Sequence, residues 1–245
     1  MTLSPRTLLE LGRISNLPTV WTNVLAGAVL SRGSLDLGTF LVLALAASCL
    51  YVGGMFLNDA FDRHFDARLR PERPIPSGRA SARQVFAIGF ALLAAGVFVV
   101  GLAARLRAPA SPTQSLTWVP LASAGVLAAL VTFYDAVHKA SPLSAVVMGA
   151  CRAVLYVTAA VTVGTLTREV LAGVLLMLLY VVGLSVVARR EATLPRLRGL
   201  VGRLIAGICV LDALLVALSG SPALAAIALL GFPLTLAGQR YVKGT

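Results

Sequence analysis

The stretch LVLALAASCLYVGGMFLNDAFDRHFD, Leu41 to Asp66, starts as an apolar run and ends in an asparagine and three aspartates, Asn58, Asp59, Asp62 and Asp66. An apolar run of about 20 residues is what crosses the hydrocarbon core of a bilayer as a helix. Ionised groups at the end of such a run are costly unless paired, metal-bound or turned to water. Offsets of three and four residues put Asp59, Asp62 and Asp66 on one helix face, with Asn58 a turn from Asp62. That face serves a positive partner. The partner is either a bound cation or neighbouring arginines, Arg63, Arg68 and Arg70, at a solvated helix end.

The rest of the chain has the same character. Its 245 residues are 58% hydrophobic and only 13% charged, with a mean hydropathy of +0.88, which excludes an ordinary soluble domain. Apolar runs at 16–31, 38–60, 82–104, 116–137, 142–166, 169–188, 199–218 and 222–239 predict an all-α, polytopic transmembrane bundle of about eight spans. It forms one domain over residues 1–245. The net charge of +11 sits mostly in short connections. With the N-terminus cytoplasmic, the inner side holds Arg6, Arg13, the arginines from Arg63 to Arg83, Lys139, those from Arg189 to Arg203, Arg240 and Lys243. The outer side holds Arg32, Arg105, Arg107 and Arg168. This positive-inside bias predicts a multi-pass protein of a cell inner membrane with both termini cytoplasmic, and it explains the charge without nucleic acid. Ala26-Gly27-Ala28 resembles a cleavage site, but Pro18 and Asn23 interrupt the stretch before it, so the N-terminus is read as retained. Cys49, Cys151 and Cys209 are isolated within apolar segments and read as small buried hydrophobes.

Two connections are long, 61–81 and 189–198, and both fall on the predicted cytoplasmic side. Splitting the spans four plus four gives these loops equivalent places, as in a parallel internal repeat. Three carboxylates and an amide suit Mg²⁺, which takes oxygen ligands and commonly bridges one or two carboxylates to substrate phosphates. A diphosphate is therefore the natural partner. The following RPERPIPSGR, Arg70 to Arg79, is proline-punctuated and cannot continue the helix. It predicts a stiff loop bringing Arg70, Arg73 and Arg79 to the acidic face, and Ser81 with Gln84 reads as the cap of the next helix.

Asn58 to Asp66 fits NDxxDxxxD, and Arg73-Pro74-Ile75-Pro76-Ser77-Gly78 resembles the RPIPSG loop of the UbiA superfamily of intramembrane prenyltransferases. RISNLPTVWTN, Arg13 to Asn23, looks like that family's first span. Tyr134 to Lys139 and Met148 to Arg152 are most similar to the EboC-like branch. The resemblance implies a bundle whose lipid-facing central cavity is capped by the two loops. It also implies Mg²⁺-dependent transfer of an isoprenoid chain from a prenyl diphosphate to an aromatic or other lipophilic acceptor. Carried over residue by residue, Asn58, Asp59, Asp62 and Asp66 would hold the metal, with the three aspartates and Lys139 catalytic. Arg63, Arg73, Arg79 and Lys139 would bind substrate, and Arg13 and Asn16 would lie near the acceptor.

The chain departs from the family after span six, where a second aspartate-rich motif gives way to Val187-Ala188-Arg189-Arg190-Glu191-Ala192-Thr193. One hypothesis is that Arg189 and Arg190 grip the diphosphate directly, since a guanidinium fork matches phosphate oxygens. The other is that catalysis is lost and the scaffold binds or transports a lipid precursor. A diphosphate-hydrolysing or cyclising enzyme is a third reading. Within the spans, Arg152 and Asp212 are each expensive alone and are expected to face the cavity, whether paired, structural or acceptor-binding. Asp135 and Lys139, one turn apart, are a further candidate pair.

Overall fold

The computed structural model describes residues 3–33, 35–107, 118–138, 143–191, 194 and 199–242. Its elements among these residues are helical: α1 (Pro5–Gly12), α2 (Leu17–Leu30), α3 (Leu37–Phe61), α4 (Arg63–Leu69), α5 (Ala82–Arg107), α6 (Trp118–Val137), α7 (Ser144–Val163), α8 (Arg168–Glu191), α9 (Leu200–Leu218) and α10 (Pro222–Gln239). A short 3₁₀ turn, Ile14–Asn16, joins α1 to α2.

Among the described residues, each of the eight apolar runs contains a helix. Seven, α3 and α5 to α10, are long and apolar enough to cross a membrane. The first run falls short of that, because α2 has only 14 residues. Pro18 in its first turn sets its start, and the chain leaves the helix at Ser31, where Arg32 turns to φ 56°. The protein is an integral, multi-pass membrane protein whose spans satisfy their backbone groups internally. Large apolar side chains such as Leu41, Leu45, Phe98, Leu175 and Leu230 cover its outside, a surface suited to lipid.

Despite its length, α2 is central. Val20 and Val24 join Leu50, Leu93, Leu127 and Leu155 in one apolar cluster. Ala26 and Leu30 join Tyr156, Met177, Ile208 and Val216 in a second. Close helix contacts rest on glycine: a Cβ on Gly27 would lie 2.6 Å from the Tyr156 carbonyl oxygen, and one on Gly53 would lie 2.9 Å from that of Gly89.

Two side-chain caps start spans, and the second is the one read from the sequence. Asp36 starts α3 by accepting from the Thr39 N–H at 2.9 Å, and Ser81 starts α5 by accepting from the Gln84 N–H at 3.2 Å. The ends of α3 and α8 meet at the same end of the bundle, where residues of both line one cavity.

Candidate functional site

The acidic stretch is bent but not broken. α3 ends at Phe61 and α4 begins at Arg63, yet Asp62 N–H bonds Asn58 O at 2.9 Å and Asp66 N–H bonds Asp62 O at 2.9 Å. The helical face is thereby kept through the junction, and all four predicted ligands are buried on it.

The arginines that neutralise this face are not the sequence neighbours. Arg13, at the left-handed turn after α1 (φ 42°), donates to Asn58 Oδ1 at 3.2 Å and Asp59 Oδ1 at 3.1 Å. Arg73, from the proline loop, donates to the same Asp59 oxygen at 3.2 Å and to Asp66 Oδ2 at 2.9 Å. Burial pulls the Arg13 pKa down, but Asp59, Tyr51 and Asp135 together outweigh it and the net shift is upward, so Arg13 stays a cation.

Asp62 faces His138, whose Nε2 lies 3.5 Å from its Oδ2. Burial opposes the imidazolium, while the bond to Asp62 favours it and raises the His138 pKa overall. Asn58 also donates to Asp135 Oδ1 at 3.2 Å, tying α3 to the end of α6.

Arg13 and Arg73 divide the space around the face. On the inner side a basin of 580 Å³ is lined by Asn58, Asp62, Arg70, His138, Ser144 and Arg189, among others. On the outer side a cavity of 510 Å³ is lined by Glu10, Asp59, Glu72 and Arg79. Both arginines line both spaces. The predicted ligands are therefore split: Asn58 and Asp62 face the basin, Asp59 faces the outer cavity, and Asp66 is covered by Arg73. Deeper in the bundle lies a third cavity of 160 Å³, walled by Leu50, Tyr51, Met55, Val131, Met148, Cys151, Val181, Leu184, Ile205 and Ile208. Arg13, Asn16, Tyr134, Asp135 and Arg152 are its other polar groups. Basin and inner cavity share Arg13, Met55, Tyr134, Met148, Leu184 and Ile205.

The other predicted site residues are distributed as follows. Arg189 reaches the basin and donates to Ser144 Oγ, whereas Arg190 is exposed and is not part of the basin lining. Arg63 turns away, donating to Ala60 O and lying over the Phe86 ring. Arg79 is tied to Glu10 and to the Glu72 carbonyl, which fastens the loop to α1. Asn16 donates to the Tyr51 hydroxyl at 3.3 Å and accepts from Gln239 at 3.2 Å. Lys139, and with it the Asp135–Lys139 pair, lies outside the described residues.

Arg152 lines the inner cavity, but the expected partner Asp212 does not. Asp212 is fully buried and accepts from Thr22 at 2.6 Å, from Asn23 at 2.8 Å and from the Tyr156 hydroxyl. The Asn23 amide stands between the two charges, since its Oδ1 accepts from Arg152 Nη1 at 2.7 Å. The roles of Asn23 and Tyr156 were not read from the sequence. The signal available was Thr19, Thr22 and Asn23, three polar groups within one turn of an apolar span.

The donor set suits Mg²⁺, being made of carboxylate and amide oxygens. One of these, Asp66 Oδ1, is buried without a hydrogen-bond partner, an acceptor that a cation would satisfy. Among the described residues no three His, Cys, Asp or Glu side chains form a ready-made metal cage.

The family model for the UbiA prenyltransferase family matches residues 19–244. The chain is similar to digeranylgeranylglyceryl phosphate synthase of Methanopyrus kandleri, 39% identical over 97 residues, covering 39% of this chain and 35% of that protein. It is also similar to 4-hydroxybenzoate octaprenyltransferase of Vibrio cholerae, 29% identical over 134 residues, covering 54% and 41%. These matches thus span between about a third and two fifths of the curated relatives. The fold resembles that of a structure reported for digeranylgeranylglyceryl phosphate synthase in membranes, with TM-score 0.62, 19% identity, and 96% and 94% of the two chains covered.

Proposed function

This chain belongs to the UbiA prenyltransferase family, and from that premise we propose that it transfers an isoprenoid chain from a prenyl diphosphate to a lipophilic acceptor within the membrane. The observation that carries the proposal is the juxtaposition of two spaces. A charged basin holds Asn58 and Asp62 opposite Arg189, and a mainly apolar cavity adjoins it. A diphosphate needs cations around it, while an isoprenoid or an acceptor ring needs apolar walls. The relatives' names support the reading, one denoting a prenylated glyceryl phosphate and the other prenylation of hydroxybenzoate.

In this reading Arg70, Arg73 and Arg189 donate to diphosphate oxygens, and the family resemblance gives Lys139 the same task. Asn58, Asp59, Asp62 and Asp66 would hold Mg²⁺, which when bound supplies charge stabilisation to the leaving diphosphate. The allylic carbon–oxygen bond breaks with its electron pair on the diphosphate, and the acceptor forms a new bond to that carbon. The proton that the acceptor loses departs with the diphosphate. Met55, Met148, Leu184 and Ile205, at the junction of the two spaces, limit water at the reacting carbon. The charge distribution supports placing the basin and both termini on the cytoplasmic side of the inner membrane.

The lipid-binding alternative has one observation in its favour, namely that Arg13 and Arg73 already neutralise Asp59 and Asp66. The two readings separate in one assay of diphosphate release by purified protein in nanodiscs. It uses geranylgeranyl diphosphate and bacterial lipid extract, with and without Mg²⁺, beside Asp62→Asn. Transfer predicts release that needs both Mg²⁺ and Asp62. Tight binding with no release in any condition would leave the lipid-binding reading standing instead.

A further inference from the structure

α5 and α6 close on each other toward one end of the bundle and part toward the other. At the closed end a Cβ on Gly101 would lie 3.0 Å from Leu121 Cδ1, and Val100 packs with Ala124. Toward the end that carries the acidic face, the small side chains of Ala94, Ala129 and Ala136 leave a groove of 790 Å³, with Leu93 buried beneath it and Phe90 and Phe133 exposed beside it. Among the described residues its one polar side chain, Thr132, already donates to the Ala128 carbonyl at 2.9 Å. An apolar occupant therefore suits the groove. Among the described residues it shares no lining with the basin or the inner cavity.

The groove runs from Ala136, next to the last residue of α6, to Ala128, eight residues and about 12 Å deeper. Half of a hydrocarbon core of about 30 Å is about 15 Å, so the groove has the depth of one leaflet. That leaflet is the one at the basin's end, where Asn58 holds Asp135 near the end of α6. A helix of a second copy would need a seat along the whole span, and the contact of Leu121 with Gly101 cuts this one short.

Two arginines stand at the open end. The Arg63 guanidinium, held by its bond to Ala60 O, lies 5.6 Å from the Phe86 ring centroid, and Phe86 stacks on the groove's Phe90 at 6.3 Å. Arg83 is exposed, and steps of four, three and four residues put Arg83, Ala87, Phe90 and Ala94 on one face of α5. The nearby carboxylates are taken: Asp59 and Asp66 by Arg13 and Arg73, while Asp62 faces His138. Among the described residues no carboxylate is within ion-pair distance of Arg63 or Arg83. Positive charge above an apolar trough of one leaflet's depth is complementary to a lipid with an anionic headgroup.

We propose that the α5–α6 groove seats one acyl chain of an anionic glycerophospholipid from the leaflet at the basin's end, with Arg63 and Arg83 holding its phosphate. Phe133 and Ala136 flank Tyr134 and Asp135, which line the inner cavity. The bound lipid thus backs the turn of α6 that carries those groups. The seat does not depend on the transferase reading and belongs equally to a scaffold that only binds lipid.

The test is native mass spectrometry of the delipidated full-length chain, titrated with dioleoyl phosphatidylglycerol or with zwitterionic dioleoyl phosphatidylcholine, with melting temperatures recorded in parallel. One arginine at a membrane surface strengthens attraction to anionic lipid by about fivefold. The first phosphatidylglycerol adduct is therefore expected to form about tenfold or more tightly than the phosphatidylcholine adduct. Arg63→Gln combined with Arg83→Gln is expected to abolish this preference. Ala129→Trp, which fills the groove from an exposed position, is expected to lose the first phosphatidylglycerol adduct while melting near the wild type without lipid. If the double arginine variant does not fold, Arg83→Gln alone carries the charge test, with a loss of about fivefold.

Equal affinity for the two lipids, an unchanged preference in the arginine variants, or an unchanged adduct in Ala129→Trp would each overturn the seat. A wild-type dimer that Ala129→Trp turns into a monomer would also overturn it, by giving the groove to a second copy. No prenyl diphosphate enters this assay, so its outcome and that of the diphosphate-release assay are independent.

Discussion

Arg73 and Asp66 concentrate the electrostatic risk of the site in one contact. Asp66 is 1% exposed, Arg73 donates to its Oδ2 at 2.9 Å, and its other oxygen has no hydrogen-bond partner. Removing the arginine leaves a buried carboxylate without its counter-charge, which typically costs about 3–5 kcal/mol. Arg73→Gln is expected to fall at the lower end, because the neighbouring basin admits water. Adding Asp66→Asn should recover most of that loss, since the second change removes the charge left unpaired. A double-mutant cycle on unfolding measures this coupling, and additive losses would show that the contact is not where the stability resides. Arg63→Gln makes a useful contrast, as it gives up a hydrogen bond to the Ala60 carbonyl and a contact over the Phe86 ring, together of the order of 1–2 kcal/mol.

At the scale of elements, the helices were legible because an apolar run long enough to span a membrane can do little else in lipid. Helix approach was not legible, because it depends on which glycine meets which backbone. Gly27→Ala sets a methyl against the Tyr156 carbonyl oxygen, with α2 confined between two apolar clusters. The expected loss is about 1–3 kcal/mol, whereas Gly125→Ala, with open space around its Cβ position, should be neutral or slightly stabilising. Melting temperatures of the two variants decide the point. The cap of α3 adds a pH-dependent case. The Thr39 side-chain and backbone bonds lower the Asp36 pKa, so the cap stabilises the protein above the usual carboxylate range and is lost as pH falls through the lowered value. The melting-temperature gap between wild type and Asp36→Ala should accordingly close on acidification, and a gap that persists would mean that the carboxylate charge is not involved. The acidic face itself was legible from spacing, and the approach of Arg73 was legible from the proline loop, but the second partner, Arg13, was not. Arg13 reaches Asp59 from 46 positions away, whereas the adjacent Arg63 points elsewhere. Periodicity orders residues along one helix and carries no information about which distant turn will cover it.

The whole molecule brings the ends of α3 and α8 to one basin, and the two walls differ in charge. Asn58 and Asp62 stand on the first wall; Arg189, held by Ser144, stands on the second with Glu191 near it. A symmetric pair of acidic walls would call for metal on both sides of a diphosphate. With a guanidinium on one side, a fixed cation is already present there, and it can donate to phosphate oxygens directly. The bundle therefore predicts an asymmetric site, with metal on the α3 side and arginine on the α8 side. Arg189→Gln should raise the KM for prenyl diphosphate roughly tenfold or more, the scale of one charge-assisted hydrogen bond, while leaving the melting temperature near that of the wild type because the side chain is exposed. Titration of Mg²⁺ with a non-hydrolysable prenyl diphosphate analogue should give a single equivalent per chain. Two equivalents, or an unchanged KM in Arg189→Gln, would mean that the α8 wall works through some other group and that the arginine is there only for topology.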